Sequence, residues 1–593
     1  MNDRCVRRSC AVVAIVFLLV FATPAVEAET WTKQLARGVT LTQIVIGPSA
    51  PEDATPAMGS TPLEAEDTTP PMVINVLKID PKVPGVRVQA VLGYDKVHGE
   101  GGDKGRETVG SMVKRVKAVA AVNADFFPWT GDPDNLHISG GELISEPHPR
   151  RTLFGMTSDG RFLFDRLEFD AKITLPDDKW FPIRGINRER KQNELVAYTS
   201  KYFSSTRTAD NGSEAVITTE DLPVRIGVPI KGTVSKARPD VGDTPIPDGA
   251  IVLSGAGTGA KFVKEKLAEG TGVSIELNVK PSSTTGWEAV VEAVGGTPRM
   301  IRNGKIGLEV DEEGLKPGFY DRTHPRTAVG VTADGKLVLV TVDGRQSISV
   351  GIGLADLAKV MLSQGCVEAL NLDGGGSSTM ATPAGMLNSP SSGILRAVAN
   401  GLAVLADDQP LETDGDLELG ISPLNGPVES GTTAQLTLLD ARTGEPLNAD
   451  LANRAIWSTT GGMGFVDQSG RLYGIKARQG EAVVKLGAHV ASVAVETIPG
   501  PPSKFIAKFE ADPTGAPNRS TLAVSLTDLN GNPIKGQKVC IKVIAGVPDR
   551  PDALTGEDGR VSVGVTWGDT PGVKARAEVT LCILEPVTLE RPE

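Results

Sequence analysis

The residues most able to do chemistry form one dense group at Asp373–Ser378. Asp373 follows the apolar run Val367–Leu372, and the group continues with Gly374, Gly375, Gly376, Ser377 and Ser378. Glycines permit positive φ and close backbone approach, so successive N–H groups can line an anion pocket, and the serines add hydroxyl donors. The Gly-Lys-Ser/Thr ending of a P-loop is missing. The pattern therefore predicts a carboxylate beside an anion-binding turn.

Two more aspartates end predicted strands. Asp125 and its neighbour Asn123 follow the strand Ala118–Val122, and Asp343 follows Leu337–Val342. An amphipathic helix precedes both Asp125 and Asp373, so a helix–strand–Asn/Asp pattern occurs twice. Single aspartates at such places are usually turn formers, but three of them favour a carboxylate cluster.

An imperfect repeat places arginines at matching positions. His148–Gly160 parallels His324–Gly335, and both copies contain His-Pro followed by Arg-Thr. Two copies this far apart cannot form a solenoid. They predict two equivalent strand pairs that present Arg151 and Arg326 at a shared centre; the alternative is two ordinary hairpins with surface arginines. Arg345, two residues after Asp343, adds a third guanidinium, and such groups suit phosphoryl oxygens.

His324 is a further candidate, because a histidine pKa of about 6.5 suits a general acid. The alternative is a turn histidine held by the His-Pro geometry. Asp132, Asp134 and Asn135 could bind Ca²⁺, but the remaining ligand spacing is absent, so the cation is unsupported and no cofactor is expected.

Composition narrows the class of protein. The 593 residues carry 73 acidic and 61 basic side chains, a net charge of −12, which offers no overall attraction to nucleic acid. Plentiful Gly and Pro with few aromatics indicate β structure with many turns. Arg4, Arg7 and Arg8 precede the apolar run Ala11–Phe21, which predicts a signal peptide over 1–28 and a secreted or envelope-associated protein with no stable membrane span afterwards.

The secondary-structure elements that position these residues are predicted to belong to three domains and a linker. Residues 29–406 are predicted to form an α+β catalytic domain with internally repeated strand/helix units, and 407–416 to be a linker. Residues 417–499 resemble a bacterial immunoglobulin-like domain through Ala455–Ser458, and 500–593 resemble an invasin-type one, with a short tail, through Asp528–Pro533. Cys540 and Cys582 in the last unit could bridge or simply be buried.

Several segments in order resemble the phosphodiester glycosidase family. They are Asn123–Phe127, Arg326–Gly330, Asp343–Arg345, Leu372–Ser378 and Arg396–Asn400, with an insertion-like stretch at about Asp165–Glu288. The resemblance implies a hydrolase that releases an N-acetylglucosamine-like sugar from a sugar-1-phosphodiester in cell-envelope or extracellular glycans, with cell-wall polymer as a possible partner.

Residue roles follow from the resemblance together with the chemistry. Asp373 and Asp125 are expected near the anomeric carbon, and Asp343 is expected to orient an arginine. Phosphate and substrate contacts are assigned to Asn123, Arg151, Arg326, Arg345, Gly374, Gly375, Gly376, Ser377 and Ser378. Two alternatives remain: a noncatalytic envelope or matrix glycan-binding protein, and a phosphodiesterase that cuts the P–O bond.

Overall fold

The computed structural model describes residues 28–47, 70–99, 105–407, 417–516, 518–568, 575–581 and 587–590. Residues 1–27 of the predicted signal peptide and residues 408–416 of the predicted linker therefore lie outside the described residues, as does Cys582.

The chain alternates short strands with turns, because its Val- and Ile-rich stretches are bounded by Gly, Pro and Asp. Up to Asp165 the elements are β1 (Ala28–Ala36), β2 (Val39–Ile46), β3 (Met72–Ile79), β4 (Arg87–Leu92), β5 (Glu107–Thr108), α1 (Val109–Val116), β6 (Ala120–Asn123), β7 (His137–Ser139), β8 (Glu142–Ser145), β9 (Leu153–Thr157) and β10 (Phe162–Asp165). The insertion-like stretch then holds β11 (Leu167–Thr174), β12 (Trp180–Ile183), β13 (Gly185–Ile186), β14 (Leu195–Tyr198), β15 (Gly212–Thr218), β16 (Ile230–Arg238), β17 (Ala250–Ala256), α2 (Thr258–Lys266) and β18 (Gly272–Pro281).

The remaining elements complete the first domain and the two C-terminal units. The first domain ends with β19 (Val290–Gly295), β20 (Arg299–Arg302), β21 (Lys305–Ile306), β22 (Arg326–Thr332), β23 (Leu337–Val342), α3 (Leu354–Ser363), β24 (Cys366–Asn371), β25 (Met380–Ala381), β26 (Ala397–Val398) and β27 (Asn400–Leu405). Next come β28 (Leu419–Ile421), β29 (Val428–Glu429), β30 (Thr433–Gln435), β31 (Leu438–Asp440), α4 (Ala449–Arg454), β32 (Ile456–Thr460), β33 (Gly464–Val466), β34 (Arg471–Gly474), β35 (Arg478–Leu486) and β36 (His489–Ile498). The last unit is β37 (Lys504–Ala511), β38 (Arg519–Thr527), β39 (Lys538–Ile544), β40 (Gly546–Pro548), β41 (Asp552–Leu554), β42 (Arg560–Trp567), β43 (Arg576–Thr580) and β44 (Val587–Glu590).

The prediction of an α+β first domain is wrong, because that domain is mostly strand. Helices α1 and α3 lie where the apolar spacing predicted them, with Val113 and Leu357 buried. The described part of the domain holds one further helix, α2, and all three are ten residues or shorter. The helix signals are confined to two short segments, whereas alternating apolar residues and Gly/Pro turns dictate sheets elsewhere.

The sheet that carries Asp373 has eight antiparallel strands in the order β1-β2-β3-β23-β22-β24-β20-β21. Helix α3 packs Leu354 and Met361 on one face, beside Val340 of β23. The other face shares a core with Val122 of β6 and Phe154 of β9. Burial on both faces explains why β23 is apolar except for Thr341 and why every residue of β22 is buried.

The first repeat copy, His148–Gly160, includes β9 and lies beside β24 because two further sheets pack there. A five-stranded sheet, β10-β9-β19-β7-β8, shares a core with the insertion sheet, β12-β11-β18-β16-β15-β17-β14-β13. Strand β19 leads directly into β20, the neighbour of β24. At the crossing, the Gly296 N–H donates to the Thr152 carbonyl (3.0 Å) and the Thr297 N–H to the Asn371 carbonyl (2.8 Å). A separate sheet, β25-β6-β27-β4, carries the strand that ends at Asn123.

The C-terminal units consist almost entirely of antiparallel strands. In the second, sheets β37-β38-β42-β40 and β41-β39-β43-β44 enclose one core. Their assignment as immunoglobulin-like domains stays a prediction. Cys540 is disulfide-bonded, whereas Cys366 is a free, buried thiol. No helix in the described ranges is long and apolar enough to cross a membrane.

Both C-terminal units contact the first domain. Met386 and Thr459 exchange backbone hydrogen bonds of 2.8 and 2.9 Å, which continues a strand pairing across the boundary. Asn530 of the last unit accepts from the Ser347 N–H at 3.0 Å, two residues beyond Arg345. The last unit therefore contacts the loop that carries Arg345.

Candidate functional site

The ends of strands β6 and β24 meet at the centre of the site. The Asp373 N–H donates to the Ala124 carbonyl (2.8 Å), and the Asn123 side chain donates to the Asp373 carbonyl (2.7 Å). The Asn123 Oδ1 accepts from the Thr327 hydroxyl (2.9 Å) and the Thr379 N–H (3.1 Å). Asn123 is buried, and both of its side-chain polar atoms form hydrogen bonds with protein groups. It therefore positions the Asp373 turn instead of facing a ligand.

Asp373 is the more exposed of the two strand-end aspartates that meet at the centre of the site. It is half-buried, and it accepts from the Gly374 N–H at 2.9 Å and from the Ser377 hydroxyl. Burial raises the pKa of Asp373 to about 6, although the hydrogen bonds and Arg396 act in the opposite direction. A reachable carboxyl that titrates near neutrality suits acid–base or nucleophilic work.

Asp125 lies beneath the same strand ends and is 1% exposed. Its carboxylate accepts from the N–H groups of Phe126 (2.8 Å) and Asn135 (2.9 Å). Burial, and then the charge of Asp134, raises the pKa of Asp125 well above its usual range. Asp125 is therefore brought to the site but enclosed by protein.

Asp343 is also buried, and it holds a loop. Its carboxylate accepts from the Asn388 side chain and the Ser389 N–H, both at 2.8 Å, and burial raises its pKa to about 7. Its side-chain partners among the described residues are thus amide groups, where an arginine was expected. The expectation failed because Asn388, 45 residues away, folds back onto the strand end.

Two exposed arginines converge on the glycine turn. The Arg396 Nη1 donates to the Ser377 hydroxyl at 3.2 Å, and a Cβ built on Gly376 would lie 2.5 Å from the Arg396 Nη2. Gly375 has a φ of +62°, and a Cβ there would lie 3.3 Å from the Arg345 Nη2. The glycines therefore let both guanidinium groups lie against the turn that follows Asp373. Arg396 was not among the expected site residues, although it opens the resembling segment Arg396–Asn400.

The turn itself offers fewer donors than its sequence predicts. The N–H groups of Gly374 and Gly375 donate to the Asp373 carboxylate (2.9 Å) and the Pro325 carbonyl (2.8 Å). Those of Ser377 and Ser378 donate back into the turn, at 3.2 and 3.3 Å. These backbone N–H groups already have acceptors within the protein. The guanidinium groups, more than the backbone, would therefore bind an anion. The buried Ser378 hydroxyl has no hydrogen-bond partner within the described ranges.

The repeated arginines lie at two ends of one aromatic pair. The rings of Phe126 and Phe319 are 5.9 Å apart, with Arg151 5.7 Å from the first and Arg326 5.6 Å from the second. Arg151 is half-buried and forms a 2.6 Å ion pair with Asp134. The structure thus brings both repeat copies to one centre.

Arg326 is committed to the backbone. It is 3% exposed and donates to the carbonyls of Phe319 (2.7 Å), Arg322 (3.1 Å) and Ile352 (3.3 Å). Burial and the neighbouring Arg345 lower its pKa to about 10. It shapes the loop before His324 and contributes positive charge.

His324 holds Arg345. The Arg345 Nη2 lies 3.3 Å from the His324 Nδ1, and because a guanidinium only donates, this nitrogen must be the acceptor. Burial, then the charges of Arg326, Arg345 and Arg322, lowers the pKa of His324. A neutral histidine with Nδ1 occupied is a weaker candidate for the general acid than its sequence position indicates.

Asp134 is a functional candidate that the sequence offered only as a calcium ligand. It is half-buried, pairs with Arg151, and its charge raises the pKa of both Asp125 and Asp373. The Asn135 Oδ1 accepts from the N–H groups of Leu136 and His148, so two of the three residues considered for calcium, Asp134 and Asn135, have protein partners. No group of three or more His, Cys, Asp or Glu side chains is arranged for a metal in the described parts of the chain.

Known proteins resemble the part of the chain that supplies the second half of this site. Residues 226–405 match the phosphodiester glycosidase family. An uncharacterized SPbeta prophage-derived protein, YomE, of Bacillus subtilis is 44% identical over 90 residues, 15% of this chain and 14% of that protein. The bovine (Bos taurus) N-acetylglucosamine-1-phosphodiester alpha-N-acetylglucosaminidase is 38% identical over 110 residues, 17% of this chain and 21% of the enzyme. The chain thus spans about a fifth or less of the length of these curated relatives.

A solved structure shares the fold of the larger part of the chain. A putative exported protein of Burkholderia pseudomallei superposes with a TM-score of 0.52 at 21% identity, covering 65% of this chain and 97% of its own. The family match, and not this superposition, makes residues 226–405 a phosphodiester-glycosidase-like region. Arg326, Arg345, Asp373 and Arg396 lie within the matched residues, whereas Asp125 and Arg151 precede them.

Proposed function

We propose that this chain, whose residues 226–405 are phosphodiester-glycosidase-like, hydrolyses a sugar-1-phosphodiester between the anomeric carbon and the phosphate oxygen. One observation carries the proposal. The half-buried carboxyl of Asp373 lies beside a glycine turn on which the exposed Arg345 and Arg396 converge. A carboxyl next to paired cations suits a sugar carbon next to a phosphoryl group.

The reaction replaces one C–O bond by another. The bond between C1 of the sugar and the bridging oxygen breaks, and the phosphate monoester leaves with the electron pair. Either water adds to C1 while Asp373 takes its proton, or the Asp373 carboxylate first forms an ester to C1 that water then hydrolyses. Both routes need Asp373 in its ionised form.

The arginines act on the leaving group. A phosphate monoester gains negative charge as the C–O bond breaks, and guanidinium groups stabilise that charge through forked hydrogen bonds. Because the leaving phosphate is itself a weak base, little protonation is required. His324 then serves by fixing Arg345, which matches its acceptor contact and lowered pKa.

The substrate and the place of action belong to the same proposal. The activity for which the bovine relative is named supports an N-acetylglucosamine-like sugar, and Arg4, Arg7 and Arg8 before an apolar run support export. The expected substrates are therefore glycans of the cell envelope or the extracellular space.

The test is sugar release from an N-acetylglucosamine-1-phosphodiester by the purified full chain. We expect release by the wild type, no release by Asp373→Asn, and normal release by Asp356→Asn, a control at an exposed position on helix α3. Hydrolysis in heavy-oxygen water should label the sugar, because the C–O bond breaks. Label in the phosphate would establish P–O cleavage instead, and binding without turnover would favour a noncatalytic glycan-binding protein.

A further inference from the structure

The two exposed arginines of the candidate site lie on loops that the C-terminal units contact. Arg345 lies on the loop of residues 343–349, which follows β23, and Arg396 lies at the end of the loop of residues 382–396, which follows β25. The last unit (β37–β44) contacts the first of these loops, and the first C-terminal unit (β28–β36) contacts the second. Each arginine is therefore next to a different unit.

The Arg345 loop has an unfavourable backbone conformation at the arginine itself. Arg345 has a φ of +61°, in the left-handed region that residues other than glycine seldom adopt. Such a conformation persists where the surrounding contacts fix it. Two hydrogen bonds do so here: the Arg345 N–H donates to the Val350 carbonyl (3.2 Å), and the Ser347 N–H donates to the Asn530 Oδ1 (3.0 Å). The second of them comes from the last unit.

Asn530 joins all three parts of the chain. It is 5% exposed, and while its Oδ1 accepts from Ser347, its side-chain NH₂ donates to the Ser430 hydroxyl at 3.0 Å. Its backbone carbonyl accepts from the Lys476 Nζ at 2.5 Å. Ser430 and Lys476 both belong to the first C-terminal unit. The position of the Arg345 loop is therefore tied to both units through one buried side chain.

The Arg396 loop is held at Gly393. Gly393 is buried although the residues on either side of it are exposed, because the first C-terminal unit covers it. The Arg478 guanidinium donates to the Gly393 carbonyl. A Cβ built on Gly462 would overlap the same carbonyl oxygen, so the two backbones are in direct contact there. This contact fixes the loop three residues before Arg396.

The contacts to the two loops come from one short segment of the first C-terminal unit. Lys476 binds the carbonyl of Asn530, and Arg478, two residues further along, binds Gly393. The loops themselves converge again at the site, where Arg345 lies against Gly375 and Arg396 against Gly376. A displacement of this segment would therefore move both guanidinium groups.

We propose that the two C-terminal units complete the phosphate-binding part of the site, with Asn530 as the positioning residue for Arg345 and Arg478 as the positioning residue for Arg396. The inference rests on the proposed function, in which both arginines bind the phosphoryl group. The Asp373 turn is held by Asn123, whose side-chain partners lie in the first domain. The units should therefore affect phosphate binding more than the chemistry at the sugar carbon.

The test measures kcat and KM of the full chain with an N-acetylglucosamine-1-phosphodiester, and its inhibition by inorganic phosphate and by N-acetylglucosamine. We expect R478M/N530A to raise KM and the inhibition constant of phosphate about tenfold, because two independent effects of about threefold multiply. The value of kcat and the inhibition constant of N-acetylglucosamine should stay within about twofold of wild type. The matched control is R442M/K535A, which changes one exposed residue in each unit and should alter none of these constants.

The outcomes separate the two proposals. An unchanged inhibition constant for phosphate, or equal rises for phosphate and for N-acetylglucosamine, overturns the positioning role while the hydrolase stands. If the wild type releases no sugar, the proposed function fails. Calorimetry with inorganic phosphate then decides the role of the units alone: weaker binding by R478M/N530A than by the wild type supports it, and equal binding, or no binding to the wild type, overturns it.

Discussion

The two halves of the first domain are built alike but expose different groups. In the first, α1 and β6 lead to Asn123-Ala124-Asp125; in the second, α3 and β24 lead to Asn371-Leu372-Asp373. Asp125 is enclosed by backbone N–H groups, whereas Asp373 is half-buried beside the glycine turn. The same local pattern therefore produces a structural carboxyl in one half and an accessible one in the other.

The repeated hairpins show the same division. In each turn a threonine hydroxyl, Thr157 or Thr332, accepts from a backbone N–H four residues on (2.9 and 3.0 Å) and donates to an aspartate two residues on. The turns are thus equivalent, but the arginines before them are not. Arg151 pairs with Asp134 near solvent, and Arg326 is buried among carbonyls. Local sequence sets the turn, and the neighbouring elements set the role.

The largest difference is expected between the two strand-end aspartates. Asp373→Asn should reduce kcat by about a thousandfold or more with an unchanged melting temperature, because it removes the accessible carboxylate. Asp125→Asn should lower the free energy of unfolding by about 1–3 kcal/mol, because an amide NH₂ would face a buried N–H donor. Steady-state rates and thermal melting of both variants provide the measurement. An active Asp373→Asn protein would reverse the roles assigned to the two halves.

The two repeated arginines, Arg326 and Arg151, should contribute differently to the free energy of unfolding. Arg326→Ala leaves the carbonyls of Phe319 and Arg322 without their donor, while the Ile352 carbonyl keeps the His324 N–H, so we expect a loss of about 2–3 kcal/mol in the free energy of unfolding. Arg151→Ala removes a half-exposed ion pair and should lose only about 0.2–1 kcal/mol. Urea unfolding of both variants, with Arg326→Lys as a test of the forked geometry, measures the contrast. Equal losses would show that the burial of Arg326 has no energetic consequence.

The pH dependence identifies which aspartate carries the chemistry. The pKa of Asp373 is raised to about 6, and the reaction needs its carboxylate. We therefore expect kcat/KM to fall about tenfold per pH unit below pH 6 and to level off above it, until another group titrates. Profiles of kcat/KM for wild type and Asp125→Asn should share this limb. Activity that instead declines as pH rises through 6 would make Asp373 an acid.

Removing the hydrogen bond between Asn530 of the last unit and Ser347 should have a smaller effect on activity. Asn530→Ala removes the acceptor for the Ser347 N–H and loosens the loop of Arg345. We expect KM for the diester to rise about threefold with kcat nearly unchanged, because phosphate binding suffers more than bond breaking. Lys535→Ala, at an exposed site of the same unit, is the control. An unchanged KM would show that Arg345 is positioned without Asn530.

The smallest expected difference lies between the turns. Thr157→Val and Thr332→Val should each cost about 0.5–1 kcal/mol of stability, because each removes the same pair of hydrogen bonds. Parallel urea melts measure the two values. A clear inequality would mean that the turns are equivalent in geometry but not in energy.

Much of the site could be predicted because its parts are local. Asp373 and its turn stand out since an acidic residue, three glycines and two serines follow an apolar strand without interruption. Helices α1 and α3 could also be predicted, because their apolar residues recur every three or four positions. The domain class was wrong for a related reason: periodicity locates an element but does not count how many of the remaining elements are strands.

The sequence by itself determined the strand ends, the repeated turns and the residue types available for a phosphorylated sugar, because all of these depend on near neighbours along the chain. Only the tertiary structure decided that Asn123, Asp343 and Arg326 are occupied by protein partners and that Arg396 faces the turn. Burial and hydrogen-bond partners come from segments tens to hundreds of residues away, and these decide whether a polar side chain holds the fold or remains available to a ligand.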